Sequence, residues 1–242
     1  MKYSIIIPTL NEEKLIGRLL SKIARPELKN KYDYEIIVSD GGSKDKTIEI
    51  AKNYCDKIVV HSEARKQNIA EGRNEGAKAA EGQFFIFLNG DIGIPDIHKF
   101  FEVIENKFIP SKYLAMTCSV YVFPEEEKFS DKVFLTFYNV YFYTLNIIHY
   151  GMGRGECQVI RKEVFQKVGG YKNILAAGED MELYGRIRKI GKIMFVRDLV
   201  IYESPRRYRR YGHFRILSSW FVNSFYIFFF RRSQSKEWEQ IR

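Results

Sequence analysis

Over its first ninety residues this chain alternates between two patterns, and that alternation restricts the fold more than any other feature. Ile5-Ile6-Ile7 is a short apolar run that stops at Pro8. Leu15, Ile16, Leu19, Leu20 and Ile23 follow at helical spacing and share one face. Asn11 is the expected N-cap of that helix, with Glu12 and Glu13 in the first turn, where the helix dipole favours acids. Glu35-Ile36-Ile37-Val38, Lys57-Ile58-Val59-Val60 and Phe84-Phe85-Ile86-Phe87-Leu88 read as further strands. Between them lie a helix that Asp45 can cap and that runs through Tyr54, and a helix over 66–80 rich in Ala and Gly, which permits close packing. Continuous apolar strands bounded by helices predict an α/β fold, a mostly parallel sheet covered on both faces.

In open sheets of this kind ligands bind at the carboxyl ends of the strands. Three polar segments fall there: Pro8-Thr9-Leu10-Asn11-Glu12, Ser39-Asp40-Gly41-Gly42-Ser43 and Asn89-Gly90-Asp91. Each alone is ordinary turn chemistry; all three at one sheet edge predict a binding site. No Gly-x-Gly-x-x-Gly follows the first strand and no Gly-x-x-x-x-Gly-Lys-Ser/Thr occurs, which disfavours a dinucleotide site or a Walker-type NTPase. A phosphorylated ligand then needs another counter-charge. Asp91 offers a hard oxygen for Mg²⁺ or Mn²⁺, and Asn89 a carbonyl oxygen beside it. Asp40 can accept from a base N–H or a ribose hydroxyl, and Arg73 can face phosphate. Glu179-Asp180 opens a helix that buries Leu183, Ile187 and Ile190, and can supply a general base.

These segments, in this order, resemble family 2 glycosyltransferases of the GT-A fold. The resemblance rests on residues 5–13, 37–47, Gly72-Arg73-Asn74-Glu75-Gly76, 87–91, Val168-Gly169-Gly170-Tyr171 and Gly178-Glu179-Asp180, and covers roughly residues 3–200. It implies inverting transfer of a sugar from a nucleotide-sugar. It implies that Pro8–Glu12, Asp40, Gly41, Arg73 and Asn89–Asp91 hold the donor, a UDP-sugar or a GDP-sugar. It implies a divalent metal (Mn or Mg) on Asp91, with Asn89, and Asp180 as the base, with Glu179 beside it. Two positions depart from the family pattern. Asn89 stands where the first acid of Asp-x-Asp is usual, and Glu203 follows Ile201-Tyr202 where many members carry a His, a position for which Glu203 or His213 could substitute as a third ligand. The Gln-x-x-Arg-Trp signature of processive synthases is missing, so one sugar per encounter is expected.

The chain divides by charge. Residues 204–242 hold nine Lys and Arg against two Glu, +7 of the net +9 of all 242 residues, which leaves +2 for residues 1–203. The expected organisation is a catalytic domain over 1–203, with a donor half (1–92) and an acceptor half (93–203). A basic, aromatic helical appendage over 204–242 follows. Arg206, Arg207, Arg209 and Arg210 are candidates for phosphate or lipid contacts. Ile216–Phe230 carries Trp220 and six Phe or Tyr between Arg215 and Arg231-Arg232, a pattern suited to an interfacial helix on anionic lipid or to a helix covering the core. Val133–Gly153 is also uncharged but carries Asn139, Asn146 and His149, so a core-packed or partly lipid-facing helix beside the acceptor is expected rather than a span.

At 45% hydrophobic and 29% charged the composition is globular and excludes a disordered or fibrous chain. Cys55, Cys118 and Cys157 are too scattered for a disulfide framework and read as reduced thiols. With no leader pattern at Met1-Lys2, a cytoplasmic enzyme at the inner face of the membrane is expected, its acceptor lipid-linked or membrane-proximal and nucleic acid not among its partners. A transferase with a soluble acceptor and a catalytically silent relative, or a membrane or nucleic-acid module using the basic tail, are the other readings.

Overall fold

The computed structural model describes residues 1–175 and 177–230. Its elements run β1 (Tyr3–Thr9), α1 (Ile16–Ile23), α2 (Pro26–Tyr32), β2 (Tyr34–Asp40), α3 (Thr47–Ala51), β3 (Lys57–Val60), α4 (Ile69–Lys78), β4 (Phe84–Leu88) and β5 (Ile92–Gly93). After these come α5 (Ile97–Val103), β6 (Tyr113–Val122), α6 (Phe129–Ile147), β7 (Cys157–Arg161), α7 (Lys162–Lys167), α8 (Glu179–Ile190), β8 (Lys192–Glu203), α9 (Arg206–Tyr211) and α10 (His213–Phe230). A π-helical turn over Ile104–Phe108 extends α5.

One sheet of eight strands organises the chain, in the order β3-β2-β1-β4-β7-β6-β8-β5. The first four strands by position are parallel, in the register Ile5↔Ile36, Tyr3↔Phe84 and Val38↔Ile58. β7 runs antiparallel to β4 and β6, β8 returns parallel to β6, and β5 closes the edge antiparallel to β8. Pleating sends adjacent residues of one strand to opposite faces. Ile5, Ile7, Ile36 and Val38 pack with α1 and α5, while Ile6, Ile37, Phe85 and Phe87 pack toward α4, α7 and α8. Both sets are buried, which explains the continuous apolar runs. Helix α4 lies close on β1 because Gly76 carries no side chain: a Cβ there would stand 2.5 Å from Ile6 Cγ2.

Three local expectations change. Asn11 does not cap α1; it sits at φ 54 and its Oδ1 accepts from Lys44 N, so the helix begins only at Ile16. The helix after Asp45 is shorter than expected, ending at Ala51, although Asp45 Oδ1 does accept from Thr47 N. Val133–Gly153 is not one helix, since α6 ends at Ile147. Among the described residues no helix is long and apolar enough to cross a membrane. The first turns of α10 pack on the body: Ile216 is buried beside Val122, Leu135 and Tyr208, and Trp220 meets Tyr138. Residues 231–242, with Arg231 and Arg232, lie outside the described residues.

Candidate active site

The carboxyl ends of β1, β2 and β4 open into a cleft of about 1920 Å³. That is larger than the ~300–1,000 Å³ usual for a single small ligand, and it has room for two substrates. Pro8, Thr9, Leu10, Glu12 and Gly41 line one end, Asn89, Gly90 and Asp91 the middle, and Glu179 and Asp180 the floor. Beyond them Tyr138, Tyr141, Phe142, Met152, Met181 and Trp220 form an apolar wall. Segments read separately from the sequence therefore share one cavity.

At its floor lies Arg73, on α4 and only 1% exposed. Nη1 donates to Glu179 Oε1 at 2.6 Å, and Nη2 donates to Asn89 Oδ1 at 3.0 Å and to the Gly155 carbonyl at 2.8 Å. An unpaired buried guanidinium would be very costly; three acceptors offset that cost. Arg73 therefore ties α4, β4, the loop before β7 and α8 together, and does not stand free toward a phosphate as expected from the sequence.

Gly178, at φ 75, turns the chain into α8 so that Glu179 and Asp180 are its first two residues. Asp180 Oδ1 accepts from its neighbour Met181 N at 2.8 Å. Burial, then the charge of Glu179, push the Asp180 carboxyl up to about 7, with Arg73 pulling the other way and Glu156 adding to the rise. The sequence reading did not require so raised a value. A carboxylate that titrates near neutrality is suited to accept a proton.

Two expected donor contacts serve the loop instead of the cavity. Asp40 is 1% exposed. Its Oδ1 accepts from Gly42 N and Ser43 N, and its Oδ2 from Thr9 Oγ1 and Ser43 Oγ. Four hydrogen bonds saturate the carboxylate, so Asp40 holds the 40–43 turn against β1 rather than receiving a nucleoside. Asn11 N donates to Ser43 Oγ and fixes the same turn from the other side. Neither Asp40 nor Asn11 lines the cleft, whereas Ser39, Gly41 and Gln67 do.

The basic segment belongs to the cleft wall, so the boundary at 203 does not separate it from the site. Ser204 N donates to the Asp91 carbonyl at 3.2 Å, which brings the start of α9 over Asp91. Arg206 Nη2 then lies 2.9 Å from Asp91 Oδ2 and 2.8 and 2.9 Å from the two Glu12 oxygens. Arg207 also lines the cavity. Arg209 does not: its two terminal nitrogens donate to the fully buried Asp131 at 2.8 and 2.5 Å. Arg210 is likewise outside the lining and stacks over Tyr211. Burial alone would raise Asp131, but hydrogen bonds from Arg209, Lys128 N and His213 outweigh it and hold the carboxyl at about 2. His213 is committed there, 2.8 Å from Asp131 Oδ1, and is no candidate metal ligand.

Sequence reasoning missed the cluster beside Asp91. Arg154, 3% exposed, pairs through Nε with Glu156 Oε2 at 3.1 Å, and Tyr208 Oη donates to Glu203 Oε1 at 2.6 Å. Burial and the charge of Glu156 push the Glu203 carboxyl well above the carboxylate range, against the pull of Arg154, whose Nη2 lies 3.7 Å from Glu203 Oε1. For Glu156 burial is outweighed by Arg154, and its carboxyl stays low. Arg154 Nη1 and Nη2 are buried without a hydrogen-bond partner. The alternate glycines at 151, 153 and 155 were the available signal. A Cβ on Gly155 would stand 3.2 Å from Asp180 Oδ2 and 3.3 Å from Arg73 Nη2.

The residues around Asp91 do not fit the divalent metal expected there. Asn89 Oδ1 accepts from Arg73, and Asp91 Oδ2 accepts from Arg206. Glu203 Oε1 accepts from Tyr208 Oη and lies 3.7 Å from Arg154 Nη2. Among the described residues no group of three or more His, Cys, Asp or Glu is placed to hold a metal. A dication about 4 Å from the guanidinium would be repelled by roughly 8 kcal/mol at an effective dielectric of about 20.

Comparison with known proteins agrees with this architecture. The sequence profile described as Glycosyl transferase family 2 matches residues 4–169. The poly(ribitol-phosphate) beta-N-acetylglucosaminyltransferase TarS of Staphylococcus aureus is 36% identical over 94 residues, 38% of this chain and 16% of TarS. A PGL/p-HBAD biosynthesis glycosyltransferase of Mycobacterium bovis is 34% identical over 93 residues, 37% of this chain and 35% of that protein. The matched stretch thus spans well under half of either relative. Among solved structures, the mannosyltransferase PcManGT of Pyrobaculum calidifontis, in complex with GDP-Man and Mn²⁺, superposes with a TM-score of 0.67 at 20% identity, covering 88% of this chain and 61% of that one. S. aureus TarS 1–349 in complex with UDP-GlcNAc superposes at 0.61 and 18% identity, covering 84% and 58%. At such identities these structures bear on the fold alone. With the profile matched over more than half of its length, the chain belongs to glycosyl transferase family 2, and its fold is GT-A.

Proposed function

We propose that this protein transfers a single sugar, with inversion, from a nucleoside-diphosphate sugar to an acceptor hydroxyl. The observation that carries the reading is Asp180: a carboxyl at about 7 on the floor of a two-substrate cleft, beside a Glu179 already paired with Arg73. The β1 and β2 loops would take the nucleoside along Pro8, Thr9, Leu10 and Gly41, and the diphosphate would lie beside Asp91, Arg206 and Arg207. Asp180 accepts the acceptor's hydroxyl proton as its oxygen bonds to the anomeric carbon. The bond from that carbon to the diphosphate oxygen breaks, and the nucleoside diphosphate leaves with the electron pair. Solved relatives carry GDP-Man and UDP-GlcNAc, and both nucleotides are candidate donors here. Thermal shift and slow hydrolysis with a panel of nucleotide-sugars test the reading. A stabilised donor that is hydrolysed supports it, and a panel with no binding overturns it.

We further propose that the acceptor is lipid-linked or membrane-proximal, with the protein resting on the inner membrane face. Helix α6 supports this. It buries Leu135, Tyr138 and Phe142, yet its opposite side exposes Phe129, Val133, Phe137, Val140 and Ile147, spaced three, four or seven residues apart. Phe137→Glu with Val133→Glu should abolish sedimentation with anionic liposomes. Unchanged binding, or none in the parent protein, would favour a soluble acceptor.

A further inference from the structure

We infer that the cation meeting the donor's diphosphate in this protein is the guanidinium of Arg206, seconded by Arg207, and that donor binding needs no divalent metal. The inference rests on the donor reading above. Its basis is the occupation of Asp91. Arg206 Nη2 makes all three of its contacts with acids, 2.9 Å from Asp91 Oδ2 and 2.8 and 2.9 Å from Glu12. Nε and Nη1 donate to no described residue, and about one-fifth of the side chain is exposed to the cleft. One edge of the guanidinium is thus fixed by the protein while the other keeps N–H donors for phosphate oxygens. A planar fork of this kind suits bidentate phosphate contact.

Arg206 is placed by structure on both sides of it. Ser204 N is bonded to the Asp91 carbonyl. Tyr208 Oη is bonded to Glu203, and Arg209 to the buried Asp131. Vacating Asp91 for a metal would mean moving a charge that three anchors within six residues hold in position. Position 89 is Asn and its Oδ1 serves Arg73, and the acid that does stand near Asp91, Glu12, is bonded through both oxygens to the same Arg206 nitrogen. Asp91 in this chain orients a guanidinium, and Arg206 takes the charge of the departing diphosphate.

Two measurements test this. Free Mn²⁺ is followed by electron paramagnetic resonance while the protein is titrated in, and UDP and GDP are titrated calorimetrically in EDTA and in MnCl₂. The expected result is no Mn²⁺ bound at 0.1 mM protein, roughly that of the free ion alone, and a nucleotide affinity that agrees within about threefold in EDTA and in MnCl₂. Arg206→Ala should weaken binding in EDTA at least tenfold, about 1.4 kcal/mol, and Mn²⁺ should restore part of it by entering the vacated Asp91 site. Arg206→Gln, which keeps hydrogen bonds to the acids without the charge, should show the same loss if Arg206→Ala fails to fold. A nucleotide bound only with Mn²⁺ would overturn the inference and leave the transferase reading standing, as would Arg206 variants with unchanged affinity in EDTA. No nucleotide bound under either condition would overturn both.

Discussion

Arg73 Nη1 donates to Glu179 Oε1 at 2.6 Å, and this one bond separates the roles of two adjacent carboxylates. Glu179 is ion-paired with the arginine beneath it, so Asp180 is left as the acid that lines the cleft with no cationic side chain among the described residues bonded to it. Asp180 is raised by burial and by the Glu179 charge, and kept from rising further by Arg73. The Arg73–Glu179 pair is thus structural support for a chemical group on the next residue.

That relationship gives a pH profile. If Asp180 accepts the acceptor proton, kcat/KM should rise with pH and level off above about 7, where the free enzyme's carboxyl is ionised. Asp180→Asn should lower turnover by roughly 10²–10⁴-fold, the usual worth of a positioned base. A profile that is flat from pH 5 to 9 would remove Asp180 from that role.

The same carboxyl should reduce stability. Its proton is held to about 7 in the folded chain and to the ordinary 3.8 when unfolded. Between those values the native state binds the extra proton, so stability is fullest below pH 4 and falls as pH rises through 7. Asp180→Asn should therefore be more stable than the parent at pH 8, by roughly 1–3 kcal/mol after discounting for partial exposure, and equal to it near pH 4. Urea titrations at the two pH values measure the difference.

Asp131 behaves in the opposite sense. Its folded value of about 2 lies below the ordinary 3.8, so its pairing with Arg209 and His213 stabilises the fold above pH 4 and is lost as pH falls through 2. The shift corresponds to about 2–3 kcal/mol. Asp131→Asn should lose that amount at pH 7 and show a shallower acid limb in thermal melts monitored from pH 6 to 2.

Arg73→Met should be more damaging than its small exposed area suggests. It leaves Glu179 buried and unpaired, a cost of roughly 3–5 kcal/mol, and removes the charge that holds Asp180 down. The variant should unfold at lower urea, and any residual activity should titrate above pH 7. Arg73→Lys should not rescue it, since one ammonium cannot reproduce the guanidinium's contacts to Glu179, Asn89 and Gly155.

The parallel half of the sheet was legible because β1, β2 and β4 are buried on both faces and write themselves as unbroken apolar runs. β8 was not, because Lys192, Arg197 and Asp198 interrupt its apolar pattern. Helix α2 was missed because only Leu28 and Tyr32 face the core; Pro26 at its first position was the signal. At the site, residue types and order located the cleft, but not which acids were already taken. Asp40 reads as a ligand contact until Gly42, Ser43 and Thr9 are seen to saturate it. Arg73 and Glu179 are 106 residues apart, and Arg206 and Asp91 are 115 apart. Such pairings follow from tertiary packing, which no local pattern encodes.

The most direct measurement is nucleoside diphosphate release from a panel of UDP-sugars and GDP-sugars, run with the parent protein and with Asp180→Asn under one set of conditions. One donor should be turned over by the parent, and the variant should bind that donor with similar affinity while releasing product at least a hundredfold more slowly, the lower bound of about 10² for a lost base. Equal release by the two proteins would contradict Asp180 as the base, and no release from any donor would contradict the transferase itself.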